Sequence, residues 1–405
     1  MITLSYLKKI NSAHFNYCYF SLAGINISDL EVFYQDCIFN AHWAVYHSKL
    51  LDNTNNTLYQ CCIFNGDVTI NSDSVIEGNA NYSIFTDCNF KNKLEVFDST
   101  ITNLIFNNSR NLAVNIREVN LVNVVIEDKF VLNNAVIEIF VTENVSFKSK
   151  FEFKEGLIGE FTVFNTNFHK IFDAYRTKFG SYASRKCIFY DFSGFELCEF
   201  SIKERQLATF EYVTFLGFVN YRNAIFNGGL DLENTNLKEP PNFLKMKVDY
   251  ENTNRETYRI IKNSFDKSGS HIEANKYFSL EMTKYKEELS TQPMSQEKLI
   301  LWLNKNISNF GMSYIRPILL ILLFSIIYQF LIIGYHNNLL YRIAPSYNDY
   351  ISCFSGIVNN LASNVIPFNK FLFEGMEFIS LIFYMLFASL IWQAIVSIKK
   401  HTRSN

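Results

Sequence analysis

The stretch 126-IEDKFVLNNAVIEIFVTENVSF-147 is followed by 148-KSKFEFKEGLIGEFTVFNTNF-168 and 169-HKIFDAYRTKFGSYASRKCIF-189. Ile126, Phe147, Phe168 and Phe189 recur every 21 residues. From each start, apolar side chains fall at +4 and +6, a small one near +9, and an apolar one at +11. Ile126 is followed by Phe130, Leu132, Ala135 and Ile137; Phe168 by Phe172, Ala174, Thr177 and Phe179. Working outward, the same template starts at Phe39, Phe90 and Phe215, with looser copies at Phe64, Phe147, Phe189 and Phe226. Where the step is not 21 it is 25, from Phe39 to Phe64, or 26, from Phe64 to Phe90 and from Phe189 to Phe215.

The underlying unit is a pair, small-x-large, every five or six residues. In extended backbone, i and i+2 face the same side, so each pair points two side chains inward from one short face. Four pairs and one extra residue make a 21-residue circuit, and five make 26. One circuit buries little alone, so coils must stack. Nine or ten coils spaced roughly 4.8 Å apart give a rod of about 45 Å. The expected fold is a mainly β N-terminal β-helix (solenoid), then an α-helical connector and two transmembrane α-helices. Expected domains are 1–239, 240–311 and 312–405.

The step of five, with a small residue two before a central Leu or Phe, resembles the pentapeptide-repeat family over roughly residues 15–239. That resemblance implies a right-handed, four-sided β-helix. Cys37, Cys62, Cys88, Cys187 and Cys198 each precede a Phe by two. They read as fillers of the small inward slot, buried as small hydrophobes, and reduced in a cytosolic domain. No CxxC pair or zinc-spaced His accompanies them, and Met1 to Leu30 lacks the apolar core of a signal peptide.

Forty Phe and no proline before Pro240 accord with strands, and Asn, Ile, Lys and Phe enrichment also accords with an AT-rich genome. A net charge of −2 offers no basic surface for nucleic acid. The seven histidines form no motif, and HExxH, GxSxG and phosphate-binding glycine loops are absent. No catalytic residue, metal site or cofactor is expected, and an enzyme is the weakest reading, although parallel β-helices include carbohydrate-cleaving enzymes.

After Pro240-Pro241 the pattern turns helical, with Tyr258, Ile260, Ile261 and Phe265 in a first helix and His271 to Leu289 in a second. This hairpin is expected to cap the solenoid, whose last coil otherwise exposes an unpaired edge; partner binding is its other reading. Gln296 to Phe310, with Trp302 beside Lys298 and Lys305, reads as a helix in a membrane interface.

Pro317 to Tyr335 and Phe378 to Ile398 are uncharged runs of 19 and 21 residues, long enough to cross a hydrocarbon core of about 30 Å. Trp302, Arg316, Lys399 and Lys400 are the expected interfacial anchors. Lys298, Lys305 and Arg316 before the first run and Lys399, Lys400 and Arg403 after the second predict a multi-pass protein of the plasma (inner) membrane with both termini cytoplasmic. Between the runs, 350–368 is rich in apolar residues but too short to span, which fits a re-entrant or interfacial helix. Span, short helix, span resembles the two-transmembrane pore module of the potassium-channel-like family, and Tyr314-Ile-Arg-Pro317 resembles the entry of such pairs in pentapeptide-repeat proteins. No TVGYG-like filter is present; Ser363-Asn364-Val365-Ile366-Pro367 stands near its place.

Asn359, Asn360, Asn364, Ser325, Gln329, Ser389 and Gln393 are the candidate pore-lining residues. Two helices cannot enclose a pore, so this reading requires a homo-oligomer in the lipid bilayer, gated by the soluble domain. By analogy its setting is a bacterial membrane-perturbing defence effector. The alternative is a membrane-tethered scaffold whose solenoid binds a cytoplasmic protein partner.

Overall fold

A computed structural model describes residues 12–20, 31–45, 48–51, 56–72, 76–77, 82–108, 113–202, 206–291, 293, 295–337, 348–363 and 372–402. The chain divides into two compact units, Met1–Lys267 and Ser268–Asn405. The first is a parallel β-solenoid of about ten turns.

One circuit shows why the sequence coils. Phe130 and Leu132, Ala135 and Ile137, Phe140 and Thr142, and Val145 and Phe147 form four successive pairs, each residue at most 1% exposed. Four inward pairs in 21 residues thus build a four-faced coil. Each coil pairs in register with the next: Ile126 with Phe147, Phe147 with Phe168, Phe168 with Phe189. Parallel strands repeat every 4.7–4.9 Å, and rings on one face take that spacing. Phe168 stacks on Phe147 at 5.0 Å and on Phe189 at 4.7 Å, while Phe151 lies stacked between Phe130 at 5.3 Å and Phe172 at 5.0 Å. Between faces the rings meet edge to face, as Phe147 does with Phe151.

The register corrects the repeat in one respect. The starts Phe39, Phe64 and Phe90 do not belong to the column of Ile126. They follow Phe20 and continue through Ile116, Ile137, Ile158, Phe179, Phe200 and Phe226 to Val248. The Ile126 column instead begins at Ile101 and ends through Phe215 at Leu237. The cause is the template's own symmetry. Its +11 residue is again a pair centre, two faces further on, so spacing alone does not distinguish opposite faces.

The small slot has a second requirement besides size. Corner residues just before it take left-handed backbone: Asp36, Cys61, Asp87, Asn123, Asn144, Asn165 and Lys186 all have φ between 45° and 55°. The slot side chain then donates back to a carbonyl at the corner. Cys37 Sγ donates to Gln35 O at 3.2 Å, Cys62 to Gln60 O at 3.3 Å, Cys187 to Arg185 O at 3.3 Å, and Thr166 Oγ1 to Phe164 O at 2.9 Å. Burial pushes the Cys187 thiol up to about 11, which leaves it unreactive at neutral pH. Asparagine suits the left-handed corner, and there its amides form a ladder: Asn165 to Asn144 at 2.7 Å, Asn144 to Asn123 at 3.0 Å, Asn123 to Asp98 at 2.8 Å. Part of the Asn enrichment therefore has a structural cause.

Helix α1 (Arg255–Lys267) closes the last coil. Thr253 and Thr257 hydroxyls accept the amides of Leu230 and Leu232 at 3.2 and 2.9 Å, where a further strand would otherwise pair. Asn254 caps the helix by accepting from Thr257 N at 2.8 Å, and its amide reaches Asp231 at 2.9 Å. Tyr258 and Ile261 are wholly buried. Of the expected capping hairpin, this helix belongs to the solenoid unit and the next one begins the second unit.

One carboxylate enters the wall. Glu152, 8% exposed, contacts Lys150, Lys154 (3.1 Å) and Asn133 Nδ2 (2.6 Å). Burial alone would raise its pKa, but the hydrogen bonds from Lys150, Asn133 and Lys154 outweigh burial and hold it at about 2. Because the folded value lies below the ordinary one, this stabilisation is complete above the ordinary carboxylate range and is lost as pH falls toward 2. Unfolding midpoints measured by circular dichroism should fall between about pH 5 and 2, and Glu152→Gln should flatten that part of the profile. In the same assay Phe168→Ala should cost about 3–5 kcal/mol. Phe218→Ala, at a side chain 38% exposed, should cost about 1 kcal/mol or less.

Candidate functional site: an apolar helix pair and its collar

The second unit contains α2 (His271–Glu288), α3 (Gln296–Ser308), α4 (Ile315–His336), α5 (Asn348–Ser363) and α6 (Glu377–Thr402). Helices α4 and α6, of 22 and 26 residues, are long and apolar enough to cross a membrane. At 1.5 Å per residue α4 measures about 33 Å. Pro317 lies in its first turn, where a missing amide donor costs nothing. Of α4 only Pro317 is buried.

Helix α3 starts at Ser295, whose hydroxyl accepts from Lys298 N at 3.2 Å. It turns one face inward, where Leu301 joins Leu289 and Phe310 against Phe278, Met282 and Tyr285. Its other face leaves Leu299, Ile300, Trp302 and Leu303 exposed, Trp302 by 52%. Three consecutive left-handed residues, Asn309, Phe310 and Gly311, then bend the chain into α4.

The end of α6 is clasped at this bend. Lys400 Nζ donates to Phe310 O at 2.9 Å and lies 4.6 Å from the Phe278 ring centre. Asn275 Nδ2 donates to Lys400 O at 3.1 Å, and the His401 ring meets Tyr314 edge-on at 5.9 Å. A Cβ on Gly311 would lie 2.8 Å from the Lys400 side chain, which would have to shift, and its φ of 85° favours glycine. Two turns earlier, Gln393 Oε1 accepts from Ser308 Oγ at 3.1 Å and Gln393 Nε2 reaches Asn304 Oδ1 at 3.4 Å. Helices α2 and α3 thus form a collar around the C-terminal end of α6 and the entry of α4.

The opposite end is also knotted by polar groups. Asn359 of α5 donates to Gly375 O at 2.6 Å and accepts from Phe378 N at 3.1 Å, holding the start of α6. Ser380, wholly buried, accepts from Phe373 N at 3.2 Å and meets Tyr328 OH of α4 at 2.8 Å. Tyr328 also stacks on Phe383 at 4.8 Å.

The expected polar residues therefore fall into different situations. Gln393 and Asn359 are engaged within the chain. Ser389 is exposed and donates to Met385 O of its own helix at 2.9 Å. Ser325 and Gln329 are exposed on α4 and have no hydrogen-bond partner among the described residues. Asn360 follows Asn359 on α5, and Asn364 lies outside the described residues. Of the expected anchors, Trp302 and Lys399 face outward, and exposed Arg316 reaches Lys305 O at 3.4 Å. Lys400 turns into the collar instead, because Phe310 O and the Phe278 ring offer its ammonium partners.

Sequence reasoning missed Asn275, Asn304, Ser308 and Ser380. Asn304 and Ser308 stand four apart, on one helix face, and Ser380 interrupts an apolar run; those were the available signals. Among the described residues no three His, Cys, Asp or Glu side chains converge to hold a metal ion. No protein-family model, curated protein or solved structure matches the chain. The architecture by itself fits a membrane-anchored solenoid.

Gln393→Leu leaves Ser308 and Asn304 without their partner. It should destabilise the second unit by about 1–3 kcal/mol and raise hydrogen exchange selectively at 304–313, read on the detergent-solubilised chain.

Proposed function

We propose that this protein is a membrane-anchored β-solenoid whose α4 and α6 cross the bilayer, and that several copies assemble into a pore-like or membrane-perturbing device gated by the soluble unit. The carrying observation is α4: of its 22 residues only Pro317 is buried. Such an apolar surface is untenable in water and ordinary in lipid. The collar supports the orientation, since it joins the end of α6 to the start of α4. The basic residues that flank the two helices thereby gather at one end, the end the charge rule assigns to the cytoplasm. The exposed apolar face of α3, with Trp302, suits an interfacial helix continuous with the hairpin.

The pore reading draws on Ser325 and Gln329, polar groups along α4 with no hydrogen-bond partner among the described residues. Helix α5, of 16 residues, is too short to span and suits a re-entrant position at the outer side.

A tethered scaffold is the second reading, and a specific surface favours it. At one corner of the solenoid, Tyr190 stacks on His169 at 4.7 Å and Phe192 on Phe218 at 6.3 Å. Ile171, Tyr190, Leu216 and Phe218 are exposed there beside half-buried His169 and Phe192, a fitting place for a protein partner.

Dye or ion flux from liposomes holding the full chain separates the two readings. The pore reading expects release that rises with protein density. Absence of release, in vesicles where exposed Cys353 reacts with an impermeant thiol reagent on the face opposite the solenoid, leaves the scaffold.

A further inference from the structure

The geometry points to a self-association face on α4, in which Gln329 pairs with Gln329 of a second copy of this chain and Ser325 lets the two helices approach. The inference rests on the reading that α4 crosses the bilayer.

Almost every other hydrogen-bonding group on this helix pair is already engaged. Tyr328 meets Ser380, Ser389 bonds its own helix, Ser397 donates to Gln393 O at 2.8 Å, and Gln393 is held by Ser308 and Asn304. Ser325 and Gln329 stand apart. They are four residues apart, so they share one stripe of the helix. Tyr328, which faces α6, lies about 100° around the helix from Gln329. The stripe is bordered by Leu322, Ile326, Phe330 and Ile333, all exposed, Phe330 by 69%.

This arrangement is what a helix–helix seam in lipid uses. Acyl chains offer no hydrogen bond, so an amide facing them stays unsatisfied at substantial cost. A glutamine amide carries both donors and acceptors and is therefore complementary to itself. Gln329 lies 14 residues from the start of α4 and 7 from its end. A partner must present an amide at that same depth, and a second copy does so by symmetry. Serine is small enough to let backbones come close, and Leu322, Ile326, Phe330 and Ile333 supply packing on the flank away from Tyr328.

The test is sedimentation equilibrium of the full chain in density-matched detergent, with alkaline-carbonate extraction of membranes as the separate check on insertion. Wild type should self-associate, and Gln329→Leu should weaken association by about 5- to 30-fold. Gln329→Asn, which keeps the amide, should retain most of it. Ile327→Ala, about 160° around the helix from Gln329, should match wild type. All variants should remain carbonate-resistant. A Gln329→Leu protein that associates as wild type does overturns the proposal, as does a monomeric wild type. Weakened association in a protein that releases no dye upholds this interface while the pore reading falls.

Discussion

The distance between neighbouring parallel strands governs the first unit. Every inward side chain must tile along an axis whose repeat is about 4.8 Å. A flat ring meets that spacing by lying face to face with its copy in the next coil, so phenylalanine fills column after column. The corner must reverse direction without breaking the stack, which calls for left-handed backbone and for a small donor beside it. Even the glycines obey the same distance: at Gly159 and Gly180 a Cβ would collide with the carbonyl of the coil before. Rings, corner asparagines, thiol slots and these glycines are answers to one spacing.

The second unit works by the opposite rule. Its apolar surface lies outside, along α4 and much of α6, and its polar groups are drawn together at the two ends. At one end Asn359 and Ser380 fasten α5, α4 and α6; at the other Gln393, Lys400 and Asn275 fasten α6 to the collar. Hydrogen bonds thus fasten both ends, while the middle is held mainly by apolar packing. The amide of Gln329 lies between these two ends, toward the α5 end, with no partner among the described residues.

Much of this was legible in the chain. Period-five pairs revealed the inward faces because i and i+2 share a side, and 21-residue steps revealed the coil. The uncharged runs at 317–335 and 378–398 marked both long helices to within a few residues, because uninterrupted apolarity leaves little ambiguity. The phase of the columns was not legible, since Phe90 and Ile101 look alike to a template whose halves are equivalent. Nor was the turn of Lys400 into the collar. A lysine after an apolar run normally points to water, and only the carbonyl of Phe310, distant in sequence, redirects it. The bond of Asn359 to Gly375 was not legible either, because Gly375 contributes a backbone oxygen that no side-chain pattern announces.

The bend at Asn309, Phe310 and Gly311 has a mechanical consequence. All three backbone angles are left-handed, and the Lys400 side chain occupies the space beside the glycine. From Ser308 to Ile315 the connection has six intervening residues, and Phe310 and Gly311 among them are locked by packing. It contains no slack. Helix α3 is thereby tied to α4 through the bend and to α6 through Lys400, so a rotation of α3 must either break the Lys400–Phe310 bond or carry both long helices with it.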